Sequence, residues 1–161
     1  MQALCRRHYA AVFEPGCSIG ILTEQLARRA DTVIATDVAP SAVRAAQRRC
    51  AHLPHVHIRC ERLCAATLSS EPCGPFDLIV LSELGYYFSA TDLATLAQAL
   101  AARLTDDGEL IAVHWLGHSA DHQLHGDEVH EVLAEALPLE RMSGIRTPGF
   151  RIDSWMANDR A

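Results

Sequence analysis

An acid and two glycines in the pattern E-x-G-x-x-x-G constrain this chain more than any other feature. In VFEPGCSIGILTEQLA, Glu14 ends a short apolar run, Gly16 and Gly20 come next, and a helical pattern begins. Glycine allows backbone conformations and close approaches closed to other residues, so such a turn invites a ligand against the main chain. Beyond this helix the chain alternates between short β-like runs and longer helical ones. Strands are expected at Ala11–Glu14, Thr32–Asp37, Val56–Cys60, Phe76–Leu81 and Glu109–His114. Helices are expected at Ile19–Ala30 and Pro40–Cys50, after a Ser89 cap with Leu93, Leu96, Leu100 and Leu104 on one stripe, and around Val129, Val132, Leu133 and Ala136. Turns are expected at Pro72–Pro75 and Asp106–Gly108, and the tail from Leu137 to Ala157 has room for two short strands. FDLIVL is nearly all apolar, as in a parallel strand covered on both faces. The alternation predicts an α/β fold, Rossmann-like and doubly wound, with a mostly parallel sheet and right-handed crossovers.

The 161 residues suit a single domain, 1–161, with residues 11–157 as its core. A net charge of −6 argues against a nucleic-acid surface. No segment reaches the ~18 apolar residues of a membrane span, and the first fifteen residues lack the apolar run of a signal peptide. The six cysteines form no C-x-x-C pair, which suggests reduced thiols in a cytoplasm.

The turn does not suit phosphate. A dinucleotide fingerprint starting at Gly16 needs glycine at 18 and 21, where the chain has Ser18 and Ile21. A phosphate loop needs a lysine that this stretch lacks. A carboxylate at Glu14 favours a cationic ligand, and Asp37, ending the next strand, can accept hydrogen bonds from ribose hydroxyls. Ribose, positive charge and no phosphate together describe S-adenosylmethionine.

Ligands of such sheets sit outside the carboxyl ends of the strands. That rule gathers Glu14, Asp37, Ser82, Glu83 and His114 along one edge. Glu83 can bind or deprotonate a ligand there, or cap the turn after it. Tyr86 and Tyr87 can wall that ligand or simply pack. His114 can accept a proton and Trp115 can stack on a ligand ring, or the histidine can be satisfied by backbone. Asp127 and His130 share a helix face, as an acid orienting an imidazole or as a cap beside a solvated ring. The cluster His114, His118, His122, His125 and His130 has no metal-ligand spacing, so no metal is expected.

VFEPGCSIG, ATDVAPSAV and FDLIVLSE resemble the successive motifs of class I S-adenosylmethionine-dependent methyltransferases. LSELGYYFS, AVHWLG and HGDEVHEVL resemble the small methyltransferases related to the nodulation S protein, which include N-methyltransferases of an amino sugar at the end of a chito-oligosaccharide. The resemblance runs from about Ala11 to about Trp155. It implies cofactor contacts at Glu14, Gly16, Ser18, Gly20, Asp37, Val38, Glu61, Arg62, Leu63 and Ser82. It implies an acceptor side with Glu83, His114 and His130 as catalytic groups and Tyr86, Tyr87, Trp115 and Asp127 against a small-molecule or amino-sugar acceptor. Two features depart from the group. Residues 1–10 stand where its members have a longer cofactor-covering segment, and Arg62 stands where an acid often meets the adenine amine. Arginine cannot accept a hydrogen bond, so Glu61 or a backbone group must serve. The rival reading is a shortened, binding-only remnant; a nicotinamide oxidoreductase is disfavoured by the missing glycines.

Overall fold

The structure, a computed structural model, describes residues 4–70 and 74–157. Its elements run β1 (Tyr9–Pro15), α1 (Ile21–Ala27), β2 (Ala30–Asp37), α2 (Pro40–Arg49), β3 (Val56–Cys60), α3 (Ala65–Ser70), β4 (Phe76–Ser82), a 3₁₀ turn at Gly85–Tyr87, α4 (Ala90–Ala101), β5 (Leu104–Trp115), α5 (Gly126–Ala136), β6 (Glu140–Arg146) and β7 (Phe150–Met156). They form one seven-stranded sheet in the order β3-β2-β1-β4-β5-β7-β6. β1 to β5 are parallel, and β7 runs antiparallel between β5 and β6. The mostly parallel, doubly wound α/β sheet is therefore as expected.

The pleat divides the core in two. Alternate residues of a strand face opposite sides of a sheet. In β4, Ile79 and Leu81 join Leu93, Leu96, Leu100, Val129 and Leu133 of α4 and α5 on one face. Leu78 and Val80 join Leu26, Ala27, Val12 and Val33 on the other. Asp77 is the charged residue in this strand. Its carboxylate accepts from the Ala10 and Ala11 amides of β1, both at 2.7 Å, just below the short β1–β4 register of Val12↔Leu78 and Phe13↔Ile79.

Several boundaries move, each for a local reason. α1 is shorter than Ile19–Ala30, because Gly20 sits in the left-handed region (φ 78°) before it and β2 already begins at Ala30. The expected turn at Asp106–Gly108 lies inside β5, where pairing with β4 jumps from Phe76↔Leu104 to Leu78↔Glu109 and the intervening residues bulge. Of the Pro72–Pro75 turn, Pro72 and Cys73 lie outside the described residues. The tail holds its two strands, with Asp153, Ser154 and Trp155 of β7 buried. α3 and the 3₁₀ turn carry no apolar periodicity, so the sequence does not announce them.

Residues 4–8 do not cap the carboxyl edge, as the sequence suggests for 1–10. They lie at the opposite end of β1, where the Cys5 amide donates to Glu109 and Arg6 pairs with Asp107. Among the described residues no helix is long and apolar enough to cross a membrane.

Gly20 works in packing. A Cβ there would lie 2.9 Å from the Ala46 Cβ and 3.0 Å from its Cα, so the missing side chain lets α2 approach the turn. Gly20→Ala adds a backbone clash to an unfavourable φ and is expected to cost roughly 1–3 kcal/mol. Urea unfolding measures it; an unchanged midpoint would show that α2 gives way freely.

Candidate active site

The order β3-β2-β1-β4 reverses direction between β1 and β4, and crevices of doubly wound sheets open at such a switch. A cleft of ≈ 630 Å³ lies there, lined by Gly16, Ser18, Thr36, Asp37, Val38, Glu61, Arg62 and Leu63 on one side and by Glu83, Leu84, Tyr86, Tyr87 and Phe88 on the other. The first wall carries seven of the residues expected to meet a cofactor; the second carries Glu83 and both tyrosines. Thr36, Leu84 and Phe88 add to the expected set, although Leu84 and Phe88 sit within the stretch LSELGYYFS.

The first wall begins at the glycine turn. Gly16 (φ 76°), Ser18 (φ 49°) and Gly20 (φ 78°) all adopt left-handed backbone. The Gly16 and Cys17 amides both donate to the Thr36 carbonyl, folding the turn back on β2. The Ser18 amide donates to Asp37 Oδ2 at 2.8 Å, and the Ala39 amide to Oδ1 at 2.9 Å. These bonds fix the Asp37 carboxylate at the cleft. Each carboxylate oxygen has a second lone pair to offer. The Glu61 amide donates to the Asp37 carbonyl, which brings Glu61, Arg62 and Leu63 onto the same wall.

Glu14 lies below the turn, 3% exposed. Its Oε2 is buried with no hydrogen-bond partner, and burial pushes its carboxyl up to about 8. A cation brought to the turn would restore ionisation. Gly20 and Ser82 stand behind the lining, Gly20 against α2 and Ser82 paired with Val113.

The second wall is held by Glu83. This non-glycine residue has φ 54°, a conformation that survives only where surroundings enforce it. Its amide donates to the Val113 carbonyl, its Oε1 accepts from the Trp115 amide at 3.0 Å, and its Oε2 accepts from the Tyr86 hydroxyl. Burial, then that hydrogen bond, raise the Tyr86 phenol. Tyr86 is buried and stacked on His122 (centroids 3.7 Å, 15° between planes), whereas Tyr87 is 45% exposed. Glu83 therefore performs the capping role while still bordering the cleft.

The expected catalytic histidines are not at the cleft surface. His114 and His130 are both fully buried. His114 Nε2 receives the Gly85 amide at 3.0 Å, and its Nδ1 faces His130 Nε2 at 3.2 Å. Burial, then His130, hold the His114 imidazole down at about 3, so it stays neutral and cannot collect a proton from an acceptor at ordinary pH. Asp127 does not orient His130 either. It pairs with Arg146 at 2.6 Å and Arg151 at 3.2 Å, and the Arg146 bond outweighs burial to hold it near 2. The residue that meets His130 is Asp153 of β7, 2.7 Å from Nδ1. Nothing in RIDSWM marks that acid, because the tail's periodicity is weak and β7 reaches His130 only by pairing with β5. The α5 cap is His125, with Glu128 completing its capping box. Trp115 is 45% exposed and pairs with Phe150 across β5 and β7, outside the cleft lining.

Similarity to known proteins agrees with this geometry. A model of the methyltransferase domain matches residues 12–108. A solved structure from Pseudomonas syringae, provisionally assigned as a methyltransferase, is 39% identical with TM-score 0.83, covering 96% of this chain and 92% of that one. The N-methyltransferase NodS of Bradyrhizobium japonicum WM9, in complex with S-adenosylhomocysteine, shares the fold at 22% identity and TM-score 0.78, covering 93% of this chain and 79% of that one. So does an S-adenosylmethionine-dependent methyltransferase from Aquifex aeolicus, at 15% identity and TM-score 0.71, covering 92% and 82%. No curated protein matches the chain in sequence. The fold, the switch-point cleft and the matched domain make this chain a member of the methyltransferase domain family, an enzyme that uses S-adenosylmethionine.

Proposed function

We propose that this chain, as one catalytic domain over 1–161, transfers the methyl group to nitrogen of a small amine or amino sugar. The observation that carries this reading is the cleft itself. One wall is an acid-bearing glycine turn, and the other brings the Glu83 carboxylate beside Tyr86 and Tyr87. NodS, which shares the fold, is an N-methyltransferase, and this supports nitrogen as the acceptor atom. The five described cysteines are free thiols, in keeping with work in a reducing cytoplasm.

The residues present fit the cofactor. Asp37 has lone pairs for a ribose diol, Val38 and Leu63 offer apolar surface to an adenine, and Glu61 can accept from its amine where Arg62 cannot. Glu14 supplies a buried carboxylate for an ammonium, reached through a turn that Gly16 keeps open. Ser18 fixes Asp37, Gly20 fixes the turn against α2, and Ser82 ends the strand that delivers Glu83. When bound, S-adenosylmethionine supplies a methyl already activated on sulfonium, so the protein mainly positions the partners. An amine acceptor must arrive unprotonated and lose a proton after attack. Glu83 is the group at the cleft that can accept a hydrogen bond from that nitrogen. Tyr86 and Tyr87 exclude water beside it. Trp115, at the strand end, offers a ring to a larger acceptor such as a sugar chain.

The direct test is methyl transfer from labelled S-adenosylmethionine to a panel of simple amines, glucosamine and chito-oligosaccharides with a free terminal amine. Methylated nitrogen is the expected product. Methylation at oxygen or carbon only would overturn the acceptor, and cofactor binding without transfer to any acceptor would favour a binding-only chain. Glu83→Gln is expected to slow transfer ~10-fold, the loss of one charge-assisted hydrogen bond to the nitrogen, while S-adenosylhomocysteine binds as before. Equal loss of both would move Glu83 to the cofactor's side.

Asp37→Ala removes two charge-assisted hydrogen bonds to the ribose and is expected to weaken S-adenosylhomocysteine binding by ~2–4 kcal/mol. Calorimetry reads this directly, and an unaltered Kd would take Asp37 out of the site.

Glu14 makes binding pH-dependent. Its carboxyl sits at about 8 in the free protein, and a ligand ammonium favours the charged form, so binding expels a proton. Affinity for S-adenosylhomocysteine is expected to rise with pH and level off above about 8. At pH ~7, titrations in buffers of different ionisation enthalpy should show about one proton released by the wild type and none by Glu14→Gln. Equal proton counts in the two proteins would disconnect Glu14 from the ligand.

A further inference from the structure

We propose that His114, His130 and Asp153 are positioning residues: two imidazoles, each held as the Nδ1–H tautomer, connect a buried carboxylate to the Gly85 amide and so fix the Glu83–Tyr87 turn against which the acceptor sits. This rests on the reading of that turn as the acceptor wall.

Hydrogen-bond direction is set by the one group whose role is fixed. A backbone amide can only donate. Gly85 donates at 3.0 Å to His114 Nε2, which must therefore carry a lone pair. The proton of neutral His114 is then on Nδ1, facing His130 Nε2 at 3.2 Å, which must accept. The remaining proton of His130 is on Nδ1, 2.7 Å from Asp153 Oδ2. Each bond sets the tautomer of the next ring. Any other assignment, and protonation of His114, would aim two hydrogens at each other. All three side chains are buried to within 1%. Burial opposes ionisation of Asp153, but His130, Arg141 and Arg151 outweigh it and keep the acid near 2. Arg141 and Arg151 reach Asp153 through Nε at 3.1 and 2.8 Å. Around the rings, Tyr86 lies 5.3 Å from His114, His122 lies beyond Tyr86, and Trp155 lies 6.3 Å from His130.

The chain of rings ends where the acceptor wall needs support. Glu83 holds left-handed backbone, and Gly85 comes so near His114 that a Cβ would lie 2.9 Å from Nε2 and 2.5 Å from Val129 Cγ1. The Tyr86 carbonyl accepts from the Gln123 and Leu124 amides. The turn is thus clamped by the buried histidine below and the β5–α5 loop above. The cofactor wall, built on β1 and β2, shares none of these bonds.

The test begins with the intact wild-type chain, its histidines labelled with ¹⁵N. Side-chain NMR is expected to show both His114 and His130 as Nδ1–H tautomers, with no titration of His114 between about pH 5 and 8. An Nε2–H tautomer at either ring, or titration of His114 in that range, overturns the proposal without any variant. Asp153→Asn and His130→Gln are then compared with wild type. Gly85 amide exchange should quicken ~10-fold or more, kcat/KM for the amine that wild type methylates should fall by a similar factor, and the S-adenosylhomocysteine Kd should stay within ~3-fold. Unchanged Gly85 exchange, or a Kd that falls away in step with kcat/KM, overturns it. If wild type methylates no amine, the acceptor reading fails on its own, and the tautomers and Gly85 exchange still decide the positioning role.

Discussion

The pairing of β1 with β4 is the contact on which the site depends. β1 already pairs with β2, so placing β4 on its other side puts the switch in strand order at its carboxyl end. The register is short, Val12↔Leu78 and Phe13↔Ile79. Asp77 extends the contact by taking both the Ala10 and Ala11 amides on one carboxylate. Partly buried backbone donors are better paired than left open, and here a side chain supplies the partner below the ladder. With β1 and β4 fixed side by side, Glu14 and Glu83 end adjacent strands and the glycine turn faces the Glu83–Tyr87 turn. The cleft is a consequence of that adjacency.

The two walls are built differently. The cofactor wall is local: the glycine turn binds to Thr36 and Asp37 of the neighbouring strand, and Asp37 is oriented by amides at Ser18 and Ala39. The opposite wall is assembled from distant parts of the chain. Glu83 meets the Trp115 amide, Gly85 meets His114, and Tyr86 meets Gln123 and Leu124. On the proposed reading, a ligand used by a whole family is served by a local device, while an acceptor wall made from separate segments can vary piece by piece.

This division explains which features are legible in the sequence. Strand and helix order can be read because β4 is buried on both faces and α4 carries a clear leucine stripe. The place of Asp37 at the carboxyl edge can be read because it ends the second strand of such a sheet, and it does line the cleft. The role of Gly20 is visible only in part: a left-handed turn is inferable, but its closeness to Ala46 depends on where α2 lands. His114 and His130 suggest the right chemistry and the wrong task, because burial cannot be read from one residue. His114 ends a strand that should meet solvent, yet the β5–α5 loop and α5 close over it. Asp153 escapes notice because the tail strands show weak periodicity and β7 also pairs with β5, across the intervening α5 and β6.

The acids near the cleft show how placement assigns chemistry to one functional group. Glu14 is buried without a partner on Oε2, and its raised carboxyl keeps it neutral until a cation arrives. Asp153 is buried as deeply but faces two arginines and an imidazole N–H, so it stays charged and anchors the chain of rings to Gly85. Glu83 is exposed, already holds an amide and a phenol, and can add only a weakly desolvated contact to an acceptor. Among the described residues lining the cleft, none is thus placed as a strong general base. That suits a reaction whose electrophile is already activated and whose nucleophile needs alignment more than deprotonation. The demand then falls on the shape of the Glu83–Tyr87 turn, which is where the buried histidines act.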